Sequence, residues 1–234
     1  MKILTFMLIV FFSLKAELTF GAASLKTHIA EYEVNISIIT GILRTELKKN
    51  KENYIAHHII EPSNLSKMIT RGTLDVTSEF QVTVDHIKPV RFKAIDTIRN
   101  KPEINLLFDW ENYLVKGAIG KELVQFTLND IAYDNVSIQY ELMNDLLTGN
   151  LQSQYTLFDI NELKIASIST TGKKLIKTIA GNFTTVGIKH QKIGSSQITT
   201  LWCAEELDYL PVVIEQHRKG KLKFRASLTK YVIT

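Results

Sequence analysis

The run AEYEVNISII, residues 30–39, alternates polar and apolar side chains: Tyr32, Val34, Ile36 and Ile38 share one face, and Glu31, Glu33, Asn35 and Ser37 the other. A period of two belongs to a half-buried strand and cannot serve a helix, whose faces repeat every 3.6 residues. The same pattern returns in ILRTELKK, YIAHHII, LDVTSEFQVTV, HIKPVRFKAIDTI, INLLFDW, NYLVKGAIG, LVQFTL and QYTLFDI. It continues in ELKIASIS, KLIKTIA, FTTVGIKHQ, SQITTLW, PVVIEQH and LKFRASLTKYVI. Between the runs stand turn residues: Gly41, the tetrad NKEN, and the breakers Pro62, Ser63 and Asn64. Pro89 sits near the start of its strand, where a missing N–H does least harm. Strands that do not alternate with helices exclude a parallel doubly wound sheet.

One segment departs from this period. In DNVSIQYELMNDLLTGN, residues 134–150, Val136, Tyr140, Met143 and Leu147 recur at helical spacing. Asp134 or Asn135 can cap the start and Gly149 can end it, which predicts a helix over residues 136–148. The expected fold is therefore mainly β: one strongly curved antiparallel sheet, an open half-barrel, with one main helix. The apolar stripe of that helix is expected to cover the concave face and gate it.

The N-terminus carries an address. Lys2 precedes an apolar stretch broken only by Thr5 and Ser13, followed by small residues at Gly21, Ala22 and Ala23. That layout predicts a signal peptide over residues 1–23 and a single β domain over 24–234, with cleavage after Ala22 or Ala23. The apolar stretch falls short of the roughly 20 residues a spanning helix needs, and no second one follows, so no stable membrane span is expected after cleavage. Export to an oxidising compartment, which this leader predicts, fixes how Cys203 reads. As the sole cysteine of the chain, it has no intrachain disulfide partner, and the fold must stand on its core.

Charge and motifs exclude several kinds of chemistry. The formal net charge is +4, spread along the chain, which is too little to track phosphates, so no nucleic-acid partner is expected. In KLKFR, residues 221–225, alternation puts Lys221, Lys223 and Arg225 on one solvated strand face and Leu222 and Phe224 on the other. No phosphate loop, dinucleotide turn or nucleophile elbow occurs. His57 and His58 are adjacent on a strand and point to opposite faces, so they do not chelate one metal, and no metal or other cofactor is expected. A Cys203–His217 pair is the remaining candidate for catalysis. Alternation puts Cys203 on the core face with Leu201, where a thiol is a poor nucleophile, so no catalytic residue is assigned and no enzyme is expected. Tripeptides of the glycosylation type occur at Asn35, Asn64, Asn135 and Asn182, and matter only in a host that glycosylates exported proteins.

The segment TTLWCAEELDYLPVVIEQ, residues 199–216, reads as a hairpin. Trp202 ends one strand, Pro211 opens the next, and Glu205, Glu206 and Asp208 lie in a solvated turn. Together with GNFTTVGIKH upstream, the first strand YEVNIS and the FDW after the third proline, it resembles a family of secreted bacterial proteins. That family is the domain of unknown function numbered three thousand one hundred and eight. The hairpin is also similar to one in periplasmic lipoprotein carriers of the LolA and LolB type. That likeness implies an unclosed barrel whose apolar concave face holds acyl chains. The function expected is a non-enzymatic periplasmic protein binding a lipid or other apolar ligand for cell-envelope maintenance; the alternative is an assembly factor binding an envelope protein. The sequence identifies no ligand-binding residue.

Overall fold

The structure is a computed structural model that describes residues 25–36, 39–63, 66–159 and 162–234. The predicted leader, Ser24, Ser37, Ile38 and Asn64 lie outside the described residues. The first half of the chain is an up-and-down meander: β1 (His28–Ile36), β2 (Ile39–Asn50), β3 (Asn53–Pro62), a single helical turn α1 (Ser66–Ile69), β4 (Leu74–Val82), β5 (Ile87–Asp96), β6 (Ile104–Asp109), β7 (Leu114–Ile119) and β8 (Glu122–Thr127). A two-residue strand β9 (Ala132–Tyr133) leads into the main helix α2 (Ser137–Thr148). The second meander follows: β10 (Gln154–Asp159), β11 (Glu162–Thr178), β12 (Gly181–Lys192), β13 (Gln197–Ala204), β14 (Leu210–Arg218) and β15 (Lys221–Ile233).

Among the described residues these strands make one sheet, ordered β8-β7-β6-β5-β4-β3-β2-β1-β15-β14-β13-β12-β11-β10-β9. The pairings are antiparallel except β9 with β10, which is parallel. The end strands β8 and β9 do not pair with each other, so the sheet curls without closing. Its two ends nonetheless meet through side chains: Phe126 of β8 stands edge-on to Phe158 of β10 at 5.1 Å, and Phe108 of β6 meets the same ring at 6.3 Å. The seam is thus held by aromatic packing where a closed barrel would have a hydrogen-bonded ladder.

Alternation fixes which residues fill the inside. In β1, His28, Ala30, Tyr32 and Val34 are buried; in β2, Leu43, Thr45 and Leu47. Tyr54 and Ala56 of β3 and Phe80 of β4 continue this lining, with Tyr54 stacked on Phe80 at 5.9 Å. Tyr140 of α2 packs on Phe80 at 5.3 Å, which places the helix inside the curl.

Three details depart from the sequence reading. Gly41 lies within β2, paired with Val34 and Pro62, and makes no turn. A Cβ there would stand 2.7 Å from the Glu61 carbonyl oxygen, so the glycine serves a close approach of two backbones. The runs ELKIASIS and KLIKTIA are one strand, β11, continued through a register shift between Thr171 and Lys173. In β15, Leu222 is exposed while Phe224 packs on the core, because the register against β14 shifts between Gln216 and His217.

Candidate functional site

The helix starts and stops where its sequence dictates. Asp134 Oδ1 accepts from the Val136 and Ser137 amides, each at 2.8 Å, and the Ser137 hydroxyl returns the favour to the Asp134 amide at 3.0 Å. These bonds satisfy amides that a helix leaves open at its first turn. Gly149 ends the helix in the left-handed region, its N–H bonded to the Asp145 carbonyl. The predicted stripe holds at Val136, Tyr140 and Met143 but not at Leu147, which is 36% exposed. Instead Ile138, Glu141, Leu142, Asn144 and Asp145 are buried too. A helix enclosed by a curved sheet is walled on several sides, so a single apolar stripe does not describe it.

The helix brings carboxylates indoors. Glu141 is fully buried; Tyr133 donates to it at 2.6 Å and the Ile87 amide at 2.7 Å, while His86 Nδ1 lies 3.4 Å away at the β4–β5 turn. Burial pushes its carboxyl up to about 7, helped by nearby Asp145 and opposed by the Tyr133 hydrogen bond. Burial likewise raises Asp145, which accepts from the Tyr155 hydroxyl, and Asp134, which accepts from Ser78 at 2.7 Å. These groups anchor α2 to β4, β5, β9 and β10.

Beside this anchor a second polar group lies on the inner face of β1–β3. His58 Nε2 is 3.3 Å from the Tyr140 hydroxyl, and His28 stands 6.4 Å from the Tyr140 ring and 5.6 Å from Tyr231. Thr45 pairs directly with His58 across β2 and β3. The inner-face residues next to them, Ile60 and Val76, are only partly covered, as is Tyr231. Burial pulls His58 down to about 3 and lowers His28, so both imidazoles are neutral near pH 7. Here an apolar floor meets hydrogen-bonding side chains that carry no charge.

The adjacent histidines do part company as alternation requires: His57 faces outward to Asp75 at 2.9 Å, and His58 faces Tyr140. Among the described residues no group of three or more His, Cys, Asp or Glu side chains is placed to hold a metal ion. Cys203 and His217 are not brought together. Cys203 pairs with Val186 and Pro211, whereas His217 pairs with Ile198 at the far end of β13. Burial pushes the Cys203 thiol well up, away from the thiolate. We expect Cys203→Ala to cost about 1–2 kcal/mol in denaturant unfolding, the range of a modest core truncation, and native protein to react with a thiol reagent only as it unfolds.

Trp202 does not end its strand, which runs on to Ala204, and Leu210 opens the next one ahead of Pro211. The connection carries a short 3-10 turn, Glu205–Leu207, with Asp208 paired to Lys26 at 2.9 Å. The Trp202 ring lies half-buried on the outer face. It covers Gly187, with Lys174 Nζ 5.0 Å from its centre and Nε1 3.4 Å from Glu215. A ring open to water on one side loses less on removal than a core ring. Trp202→Ala is expected to cost about 1–2 kcal/mol by equilibrium unfolding, short of the 3–5 kcal/mol typical of a buried tryptophan.

Known proteins agree with this architecture. The family described as "Protein of unknown function (DUF3108)" matches residues 18–225. No curated protein matches the chain. Among solved structures, a beta-barrel-like protein of the domain of unknown function DUF1849 from Brucella abortus superposes with a TM-score of 0.60 at 12% identity. The match covers 91% of this chain and 99% of that one. At that identity the likeness is one of fold.

Proposed function

For a chain that belongs to the DUF3108 family, whose description assigns no activity, the interior of the fold is the best guide, and we propose that it binds a lipid or other apolar ligand. In this reading the protein is exported to the periplasm, serves the cell envelope and performs no chemistry of its own. The ligand lies between α2 and the inner face of β1–β4, in the manner the LolA and LolB resemblance implies. The observation that carries the reading is the partly covered apolar floor of Ile60 and Val76 beside the helix. Apolar side chains left partly open on the inner side of a curved sheet offer surface that an apolar ligand can cover. The buried Cys203 and the neutral histidines suit binding better than catalysis.

Native mass spectrometry of protein purified from its own envelope fraction tests this. A co-purifying acyl species is expected. Protein that emerges bare, and that also fails to take up a neutral fluorescent apolar probe, overturns the ligand reading.

A second reading has its own observation. Strand β8 ends the sheet with an open edge, and Leu123 on it is 85% exposed. An open edge can add a strand from an envelope protein. Crosslinking in cells at residue 123 separates the two, since a stoichiometric protein adduct belongs to the assembly role.

A further inference from the structure

Antiparallel register sorts the turns of the sheet into two ends. The β3–β4, β5–β6, β7–β8, β12–β13 and β14–β15 turns lie at one end; the β2–β3, β4–β5, β6–β7, β11–β12 and β13–β14 turns lie at the other. Helix α2 reaches the second end, where its Glu141 meets the Ile87 amide and His86 of the β4–β5 turn. The inner floor opens at the first end: Ile60 and Leu74, paired beside the β3–β4 turn, are only partly covered.

The two ends differ in charge. Among the described residues, the turns at the first end carry Lys67, Arg71, Arg99, Lys101, Lys121 and Lys219 against Glu103, which is paired to Lys93. The turns at the second end carry Glu52, Asp85, Glu111, Glu205 and Glu206 against Lys51. A modest net charge is therefore strongly sided.

An apolar tip is built into the basic end. Ser66 is buried, its hydroxyl accepts from the Thr40 amide at 2.9 Å, and the Thr70 amide closes the turn on the Ser66 carbonyl at 2.9 Å. Pinned through Ser66, α1 leaves Met68 and Ile69 outward, 81% and 65% exposed, between Lys67 and Arg71. The Thr73 amide donates to the Thr97 hydroxyl at 2.8 Å, which ties this loop to the β5–β6 turn that bears Arg99 and Lys101. A tip held this way has little conformational freedom left to lose on docking. The second end exposes Val84 and Ile179 as well, but sets them among acids. Charge thus chooses between the ends.

We propose that the basic end docks on a bilayer surface bearing anionic phospholipid, with Met68 and Ile69 inserted among the head groups and the surrounding lysines and arginines on the phosphates. Such a surface offers both things this end lacks, negative charge and apolar depth. A nucleic acid would meet the cations and leave Met68 and Ile69 in water. The docking surface stands on its own observations and adds a partner to the apolar-ligand reading: a ligand on the inner floor would pass between protein and membrane at this end.

Flotation of the full exported protein with vesicles tests it. One set is phosphatidylcholine alone, the other phosphatidylcholine and phosphatidylglycerol in equal parts. Binding is expected to the anionic set, and to be released in about 1 M salt, where screening shortens to about 3 Å. Met68→Ser with Ile69→Ser should weaken binding about tenfold or more and leave the melting temperature within about 2 °C of wild type, because both side chains are exposed. Arg71→Glu should weaken it about fivefold or more. Val84→Ser with Ile179→Ser, equally exposed at the acidic end, should bind like wild type. Failure to float with anionic vesicles, equal binding to both sets, or equal loss in the two serine variants overturns the docking surface. Protein that floats but takes up no N-phenylnaphthylamine, a neutral fluorescent probe, keeps the docking surface and overturns the apolar-ligand reading; uptake without flotation does the reverse.

Discussion

Met143→Asp should leave the protein largely unfolded at room temperature. Met143 is 4% exposed on a helix enclosed by the sheet, and Glu141 and Asp145 flank it in the chain. The substitution removes a buried side chain, worth about 2–5 kcal/mol, and adds a carboxyl with no donor prepared for it. The sum exceeds about 4 kcal/mol, against a typical total stability of about 5–15 kcal/mol. Circular dichroism and urea unfolding read the loss. Leu147→Asp on the same helix is the control: at 36% exposure it should cost no more than about 0.5 kcal/mol. Equal stability of the two variants would mean that α2 does not sit inside the curl.

Glu141→Gln should reshape the dependence of stability on pH. Glu141 has its carboxyl raised from 4.5 to about 7 in the folded protein, chiefly by burial. Between those values the folded state holds a proton that the unfolded state has lost. This contribution is therefore present in acid and disappears as pH rises from about 4.5 to 7. Asp134 and Asp145, also raised by burial, act in the same direction. The histidines act oppositely. His58 falls from 6.5 to about 3 and His190 to about 4, so the unfolded chain takes up protons first, and stability is lost as pH falls below 6.5. Wild-type stability is accordingly a dome. With glutamine at 141 the alkaline side rises: the variant should gain about 2 kcal/mol on wild type between pH 5 and pH 8. Parallel curves for the two proteins would show that Glu141 is ionised at all these pH values.

Much of the architecture is legible in the chain because a period of two has one physical meaning. The strands, the inward Cys203 beside Leu201, the divergence of His57 and His58, and the Gly149 helix stop all follow from local rules. The site was hidden for a related reason. Alternation is read by polarity, and a polar residue is assigned to solvent, yet Glu141, Asp145, His28 and Thr45 are polar and buried. Parity held the clue for two of them: His28 falls in step with Ala30, Tyr32 and Val34, and Thr45 lies between Leu43 and Leu47 on their face. No such clue marks Glu141, whose burial depends on Tyr133 and Ile87 arriving from other strands. The exposure of Leu147 and the in-strand place of Gly41 depend on what packs alongside each, which sequence spacing does not record.

The pairing of β1 with β15 has a kinetic consequence. Every other neighbouring pair in the sheet is consecutive in sequence, and all of them but the parallel β9–β10 pair are antiparallel, so each meander can zip up from pairs of low contact order. The β1–β15 ladder alone joins residues about two hundred positions apart, from His28 against Ile233 to Asn35 against Arg225. It lies at the centre of the sheet, and its partners are among the first and last described strands. Two half-sheets with exposed inner faces must therefore wait for the last strand before they merge. During that wait the unpaired flanks of β1 and β14 are open to the wrong neighbours. A chain of this topology is at its most vulnerable to aggregation late in folding, and a chaperone that shields β1 would speed recovery more than one acting on any hairpin.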